Sequence, residues 1–198
     1  MATSIISRTS PPVRLSAAGT GTGTAARDIA NPGAKDGELL VAIQSQTAGT
    51  SGGMLAPSGF QQKGATGGSG TVGWMKVWTR RASNEPAVWS FSGDGNGCVV
   101  VLVVPNWDDR DDASTFDVLP TFTTGTATST HNSPSITMAR TTNRLIRAFA
   151  GETGGVTHAT VAGYVEHQDV SAGGSNSLSV QSQESGGAGT TGVVSSTA

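Results

Sequence analysis

The chain has 198 residues, of which 35% are hydrophobic and only 13% charged, with a formal net charge of -2 and a pI of about 5.8. An ordinary soluble domain is about 25% charged; here Gly, Ser and Thr stand in for charge, with 28 glycines alone. Low hydrophobicity with high net charge, the mark of a disordered chain, is absent. The 12 Lys and Arg residues are spread without the basic stripe of a nucleic-acid binder. No apolar run approaches the roughly 18 residues of a membrane span, and no stretch carries the 3.6-residue apolar period of a long helix.

The length suits one domain with an appended arm. Residues 1–17 hold two apolar patches, Ile5-Ile6 and Val13-Arg14-Leu15, split by Pro11-Pro12, which block continuous strand pairing. The opening MATSIISRTSPPVRLS lacks the continuous apolar core of a signal peptide, so synthesis in the cytoplasm is expected. Residues 18–26, AGTGTGTAA, read as a flexible loop. Asn31-Pro32-Gly33 and Asp36-Gly37 are turns, and Glu38 to Ile43 follows as an apolar strand. Thr47 to Gly53 reads as a loop, and Pro57-Ser58-Gly59-Phe60 turns the chain into a short strand ending at Lys63, before a second loop at 64–70.

From Thr71 to Arg80 the alternation predicts a strand with Val72, Trp74, Lys76 and Trp78 on one face and Gly73, Met75, Val77 and Thr79 on the other. A turn at Ser83 to Pro86 leads to a strand over Ala87 to Phe91. Ser92 to Gly97, SGDGNG, reads as a tight connection of the hairpin kind. Cys98 to Val104 is the most apolar strand, placed centrally and buried on both faces. The Thr-rich segment 121–133 reads as loop with some irregular strand. Ser135 to Met138, Arg144 to Ala150, Val161 to His167, Ser177 to Gln183 and Thr191 to Thr197 are the remaining strand candidates. Roughly nine to eleven strands at about 10–15-residue spacing argue a sandwich or barrel.

Four segments occur in a telling order: DGELLVAIQSQ at 36–46, Ala56 to Phe60, VGWMKVWTRRASNEPAVWSFS at 72–92, and CVVVLVVPNWDD at 98–109. The chain thereby resembles a family of jelly-roll-like β-sandwich domains found in bacteriophage virion and minor tail proteins, with related domains in bacterial surface proteins. Its pattern runs from a "GDLLVA"-like strand through Pro-x-Gly-Trp and an aromatic-rich strand closing on Glu-Pro to an apolar strand with an acidic loop. The resemblance covers roughly residues 30–118. Phe60 stands where the pattern has Trp, and the C-terminal third is richer in Gly and Ser. The resemblance implies no catalytic residues.

Chemistry candidates are few. Cys98 is the only cysteine, so it forms no intramolecular disulfide and no CxxC pair; it reads as a small buried apolar residue. Asp108, Asp109, Asp111 and Asp112, with Asp117 beyond, raise the question of calcium, but their spacing lacks the Gly and the terminal Glu of an EF-hand loop, and they read as a solvated acidic loop. His131, His158 and His167 accompany no GxSxG elbow and no zinc motif, and read as surface histidines. Glu85 near Trp78 or Trp89 would need a second carboxylate about 5–10 Å away to cleave a glycoside; Glu152 and Glu166 cannot be placed from sequence. Trp74, Trp78, Trp89 and Trp107 would stack on sugars if exposed, but three of them fall in expected strands and read as core. The glycine runs Gly19 to Gly23 and Gly93 to Gly97 lack the GK[ST] of a phosphate loop.

The expectation is therefore an all-β, two-sheet antiparallel β-sandwich, jelly-roll-like, with a short N-terminal arm and edge strand in residues 1–30 and the sandwich domain in 31–198. The expected role is a structural protein of a bacteriophage particle, as a minor tail or tail-tip component or a capsid decoration protein. It would be assembled in the bacterial host cytoplasm and reside in the virion. Its partners would be other virion proteins and copies of itself in a homo-oligomer. Nucleic acid, a membrane span, catalytic residues, cofactors and metals are not expected. The alternative is a carbohydrate-binding module on a virion or bacterial surface, whose partner would be a host-surface glycan.

Overall fold

A computed structural model describes residues 2–7, 13–47, 53–67, 73–105, 121–123, 130–138, 143–152, 155–185 and 189–197. Among these the regular structure is all strand, and every pairing is antiparallel. The first five-stranded sheet runs in the order β13 (Val165–Ala172), β14 (Asn176–Ser185), β12 (Asn143–Gly151), β1 (Ala2–Ser7) and β9 (Thr121–Thr123). The second runs β2 (Leu15–Gly21), β8 (Asn96–Val104), β4 (Leu39–Thr47), β6 (Trp74–Arg81) and β5 (Gln61–Gly67). Three two-stranded pairs complete the fold: β3 (Arg27–Ala30) with β7 (Val88–Phe91), β10 (Thr130–Ser133) with β16 (Val194–Thr197), and β11 (Thr137–Met138) with β15 (Gly189–Thr190).

Strand alternation explains why the second sheet forms where it does. On β4 and β8, Leu39, Val41, Ile43, Cys98, Val100, Leu102 and Val104 face the first sheet and meet Ile146, Ala148, Leu178 and Val180 across the main core. Their neighbours Leu40, Ala42, Val99, Val101 and Val103 face the other way, under Ile29, Trp89 and Phe91 of the β3–β7 pair. A strand covered on both sides has no solvent face on which polar residues would alternate, hence the continuous run. The two-sheet antiparallel sandwich and the doubly buried Cys98 to Val104 strand are as expected. On β6, Met75 and Val77 enter the main core while Trp78 enters the second, again as the alternation requires.

Several local expectations are corrected. Residues 18–21 continue β2 instead of forming a loop. Gly19 serves close approach: a Cβ there would stand 2.5 Å from the Asp28 carbonyl of the neighbouring β3. The loop expected at 64–70 begins later, because β5 runs on to Gly67 through a bulge between Gln62 and Gly64. Ser92 to Gly97 does not close a hairpin: β7 pairs with β3, whereas β8 pairs with β2 and β4. The strand expected from Val161 starts at Val165, after a turn in which Gly163 takes a φ of +83°. The edge strand expected within residues 1–30 is β2; β1 lies inside the first sheet, between β12 and β9.

Candidate functional site

The acidic cluster Asp108, Asp109, Asp111 and Asp112, Asp117 and Trp107 lie outside the described residues. Among the described residues no group of three or more His, Cys, Asp or Glu is placed to hold a metal ion. Trp78 and Trp89 are buried in the second core and Trp74 is half-buried, so Trp78 and Trp89 offer no face to a sugar ring.

Glu85 is committed to architecture. Its Oε1 pairs with Arg80 Nε at 2.9 Å and accepts the Ser83 amide at 2.9 Å; its Oε2 accepts the Trp89 indole N–H at 2.7 Å. Arg80 in turn donates to the Ser58 carbonyl at 2.7 Å and lies over the Phe60 ring, which packs edge-on against Phe91. The Glu-Pro and Pro-Ser-Gly-Phe segments noted in the sequence thus meet in space, and both carboxylate oxygens of Glu85 are occupied. A charged side chain 1% exposed is tolerable only when paired and hydrogen-bonded in this way.

A fully buried cation, Arg27, lies on β3. Its Nη2 donates to the Gly95 carbonyl and, at 3.5 Å, to Gln46 Oε1, while Nε and Nη1 have no partner. Burial pulls its pKa below the ordinary arginine value, with Cys98 and Asp94 acting against that. Asp94 accepts Gln46 Nε2 at 2.6 Å. The SGDGNG segment wraps this guanidinium: a Cβ on Gly93 would collide with it, and one on Gly97 would stand 2.7 Å from Nη2. The segment thereby passes around Arg27 as the chain crosses from β7, paired with β3, to β8, paired with β2 and β4. Nearby, the Lys76 ammonium donates to the Met54 carbonyl at 2.9 Å and lies over the Trp78 ring; burial lowers its pKa.

The outer face of the first sheet carries a polar layer. Arg147 on β12 is fully buried. It donates to Tyr164 Oη (2.7 Å), Ser133 Oγ (2.8 Å), Thr191 Oγ1 (3.1 Å), the Gly192 carbonyl (3.2 Å) and the Ser133 and Pro134 carbonyls (both 3.3 Å). One side chain therefore ties β12 to β10, to the 155–164 segment and to the C-terminal strands. His158 is 3% exposed, its Nε2 within 2.9 Å of Ser177 Oγ and its ring edge-on to His131 with centroids 5.1 Å apart. Burial pulls both histidines down to about 4, the charge of His131 adding to the effect on His158 and the chain's amino group contributing a smaller repulsion to both. His167 is half-buried with Nε2 2.7 Å from Ser182 Oγ, and burial lowers its pKa. The expectation of surface histidines is thus corrected, because these rings are drawn into serine-rich strand faces that can satisfy them.

A serine beside a histidine invites a nucleophilic reading, which the geometry refuses. Ser177 is fully buried, and Asp169 accepts the backbone amide of His158 at 2.6 Å instead of its ring. Ring Nδ1 is buried without a partner, so nothing sets the tautomer a general base needs. Cys98 is equally inert: burial pushes its thiol up to about 12.

Sequence reasoning passed over Arg27 and Arg147. The signals were present: Arg147 is a lone cation inside the apolar run Leu145 to Ala150, and glycines crowd the segment that encloses Arg27. The fold and these inward-turned charges define an all-β sandwich protein braced by buried cations. Comparison with protein-family models, with curated proteins and with solved structures gave no match.

Proposed function

We propose that this chain is a structural component of a bacteriophage particle, a minor tail or tail-tip component or a capsid decoration protein. It acts by packing against other virion proteins and copies of itself, without turnover, in the virion. The resemblance over residues 30–118 suggests the setting. The observation that carries the reading is the fate of Glu85, Arg80, Trp89 and Phe60. These residues from the resembling segments are joined to one another inside the fold, which serves a rigid scaffold. Weak contacts repeated over many copies give avidity without a specialised pocket.

Light scattering of the purified full chain, followed by a glycan array, tests this reading. A defined oligomer with no glycan bound is expected, and mass spectrometry of virions carrying the gene should find the chain at fixed stoichiometry. A strict monomer that binds a defined sugar overturns the proposal.

A further inference from the structure

The layer over the outer face of the first sheet is fastened by polar contacts around one small apolar cluster, Ile136, Met138 and Leu145 with Tyr164 against them. The β10–β16 pair and residues 155–164 lie over β12, β13 and β14, with Ser133, His158, Ser177, Ser179, Gln181 and Ser196 buried beneath or within them. The Ala159 amide donates to the Thr197 carbonyl at 2.7 Å, and Ser196 Oγ donates to the Ala159 carbonyl at 2.7 Å. Gln181 Oε1 accepts the Val161 amide at 2.9 Å. A third layer held by hydrogen bonds and one small apolar cluster opens at lower cost than the main core, because the freed polar groups are taken up by water and little apolar surface is exposed.

Two imidazoles sit at the centre of this layer, one on each component: His131 on β10 and His158 in the 155–164 segment. We propose that β10, β16 and residues 155–164 form an acid-released clasp, in which the paired rings of His131 and His158 are the sensing groups and the sandwich beneath stays closed. A neutral imidazole needs one donor and one acceptor position. His158 uses Nε2 on Ser177, and its Nδ1 is buried with no partner. A second proton would therefore bury an N–H that has no acceptor, beside a ring 5.1 Å away that acquires charge over the same pH range.

The charged groups around the rings do not relieve this. From β13, Asp169 is taken by the His158 amide, and Glu166 accepts the Ser179 and Thr160 hydroxyls. From β12, Arg147 is a further positive charge, and Tyr164 holds its Nε. Glu152, following β12, is exposed, and Glu184 on β14 lies toward Arg144. β1, β9 and β16 contribute no titratable side chain, and the chain's amino group adds a smaller repulsion to both rings.

Linkage sets the direction. The open clasp has ordinary histidines, near 6.5, whereas the closed clasp holds both at about 4. Acidification from 6.5 toward 4 therefore favours the open form by about tenfold per pH unit for each ring. Asp169 works the other way: burial raises it to about 6 in the closed form from an ordinary 3.8, and below 6 it returns about tenfold per unit to the closed form. Because ordinary histidines are already half-protonated at pH 6.5, the net release between pH 6.5 and 5 is about thirtyfold.

Amide hydrogen exchange of the full chain at pH 7, 6 and 5, corrected for intrinsic rates, reads this segment by segment. Peptides from 130–138, 155–164 and 189–197 should lose protection about thirtyfold between pH 6.5 and 5, while those from 39–47 and 96–104 keep theirs. H131Q should remove about tenfold per pH unit from the response, and H131Q with H158Q should reverse its sign. An unchanged response in H131Q, an equal loss in all segments, or no loss at all overturns the proposal. Should the double variant not fold, proton NMR titration of the wild-type imidazoles decides: rings of the closed form that titrate near 6.5 overturn it.

Discussion

The guanidinium of Arg27 occupies the space in which a side chain at Gly93 would begin. G93A must therefore displace a fully buried cation that already has two unpartnered nitrogens. We expect a loss of about 3 kcal/mol in urea denaturation. In an R27M background, where a flexible neutral chain can move aside, the same methyl should cost less than about 1 kcal/mol. Equal costs in the two backgrounds would show that the two positions do not compete for space.

Glu85 brings Arg80 and Trp89 together, so its removal leaves a buried indole N–H without an acceptor and Arg80 without its carboxylate. E85A should cost about 3 kcal/mol, and E85Q, which can still accept the indole proton, about 1–2 kcal/mol. A change within about 0.5 kcal/mol, typical of a surface site, would contradict the assignment.

Cys98 should be silent toward a disulfide reagent at pH 8 in the native state, because burial holds its thiol at about 12. Its reaction should follow the unfolding curve as denaturant is added. Rapid labelling of the native chain would contradict the doubly covered position of β8.

Arg14 and Glu38 form a two-pronged pair at 2.7 and 2.5 Å, which fastens the start of β2 to the turn before β4. The hydrogen bond from Arg14 holds the Glu38 carboxyl below its ordinary 4.5, ahead of the opposing effect of burial. A depressed carboxylate stabilises the fold above its unfolded pKa and loses that contribution as pH falls through its folded value. The stability difference between wild type and E38Q should therefore be constant from pH 7 to about 5 and shrink below about 4. A difference that grows with acid would reverse the sign and remove the pair as its cause.

The sequence by itself determined the sandwich and its centre. Cys98 to Val104 is short, rich in β-branched valine and apolar at every position, which marks a strand covered on both faces, since a solvent face would have required polar residues at every second position. The alternation of Trp74, Lys76 and Trp78 against Met75 and Val77 likewise split β6 into two faces, because side-chain direction in a strand is fixed by the pleat; that Val77 and Trp78 enter two different cores came from the structure. Only the tertiary structure decided what the isolated polar residues do. Arg27 and Phe91 are paired across β3 and β7 but far apart in sequence, and Arg147 gathers acceptors as distant as Gly192. No local rule ties such partners together: hydrogen bonds of this kind depend on which loops the sheets bring to one end, not on spacing along the chain. The same reason hid the histidines, whose burial follows from strands that pair long after or before them, and it turned SGDGNG from an expected hairpin turn into the wall around Arg27.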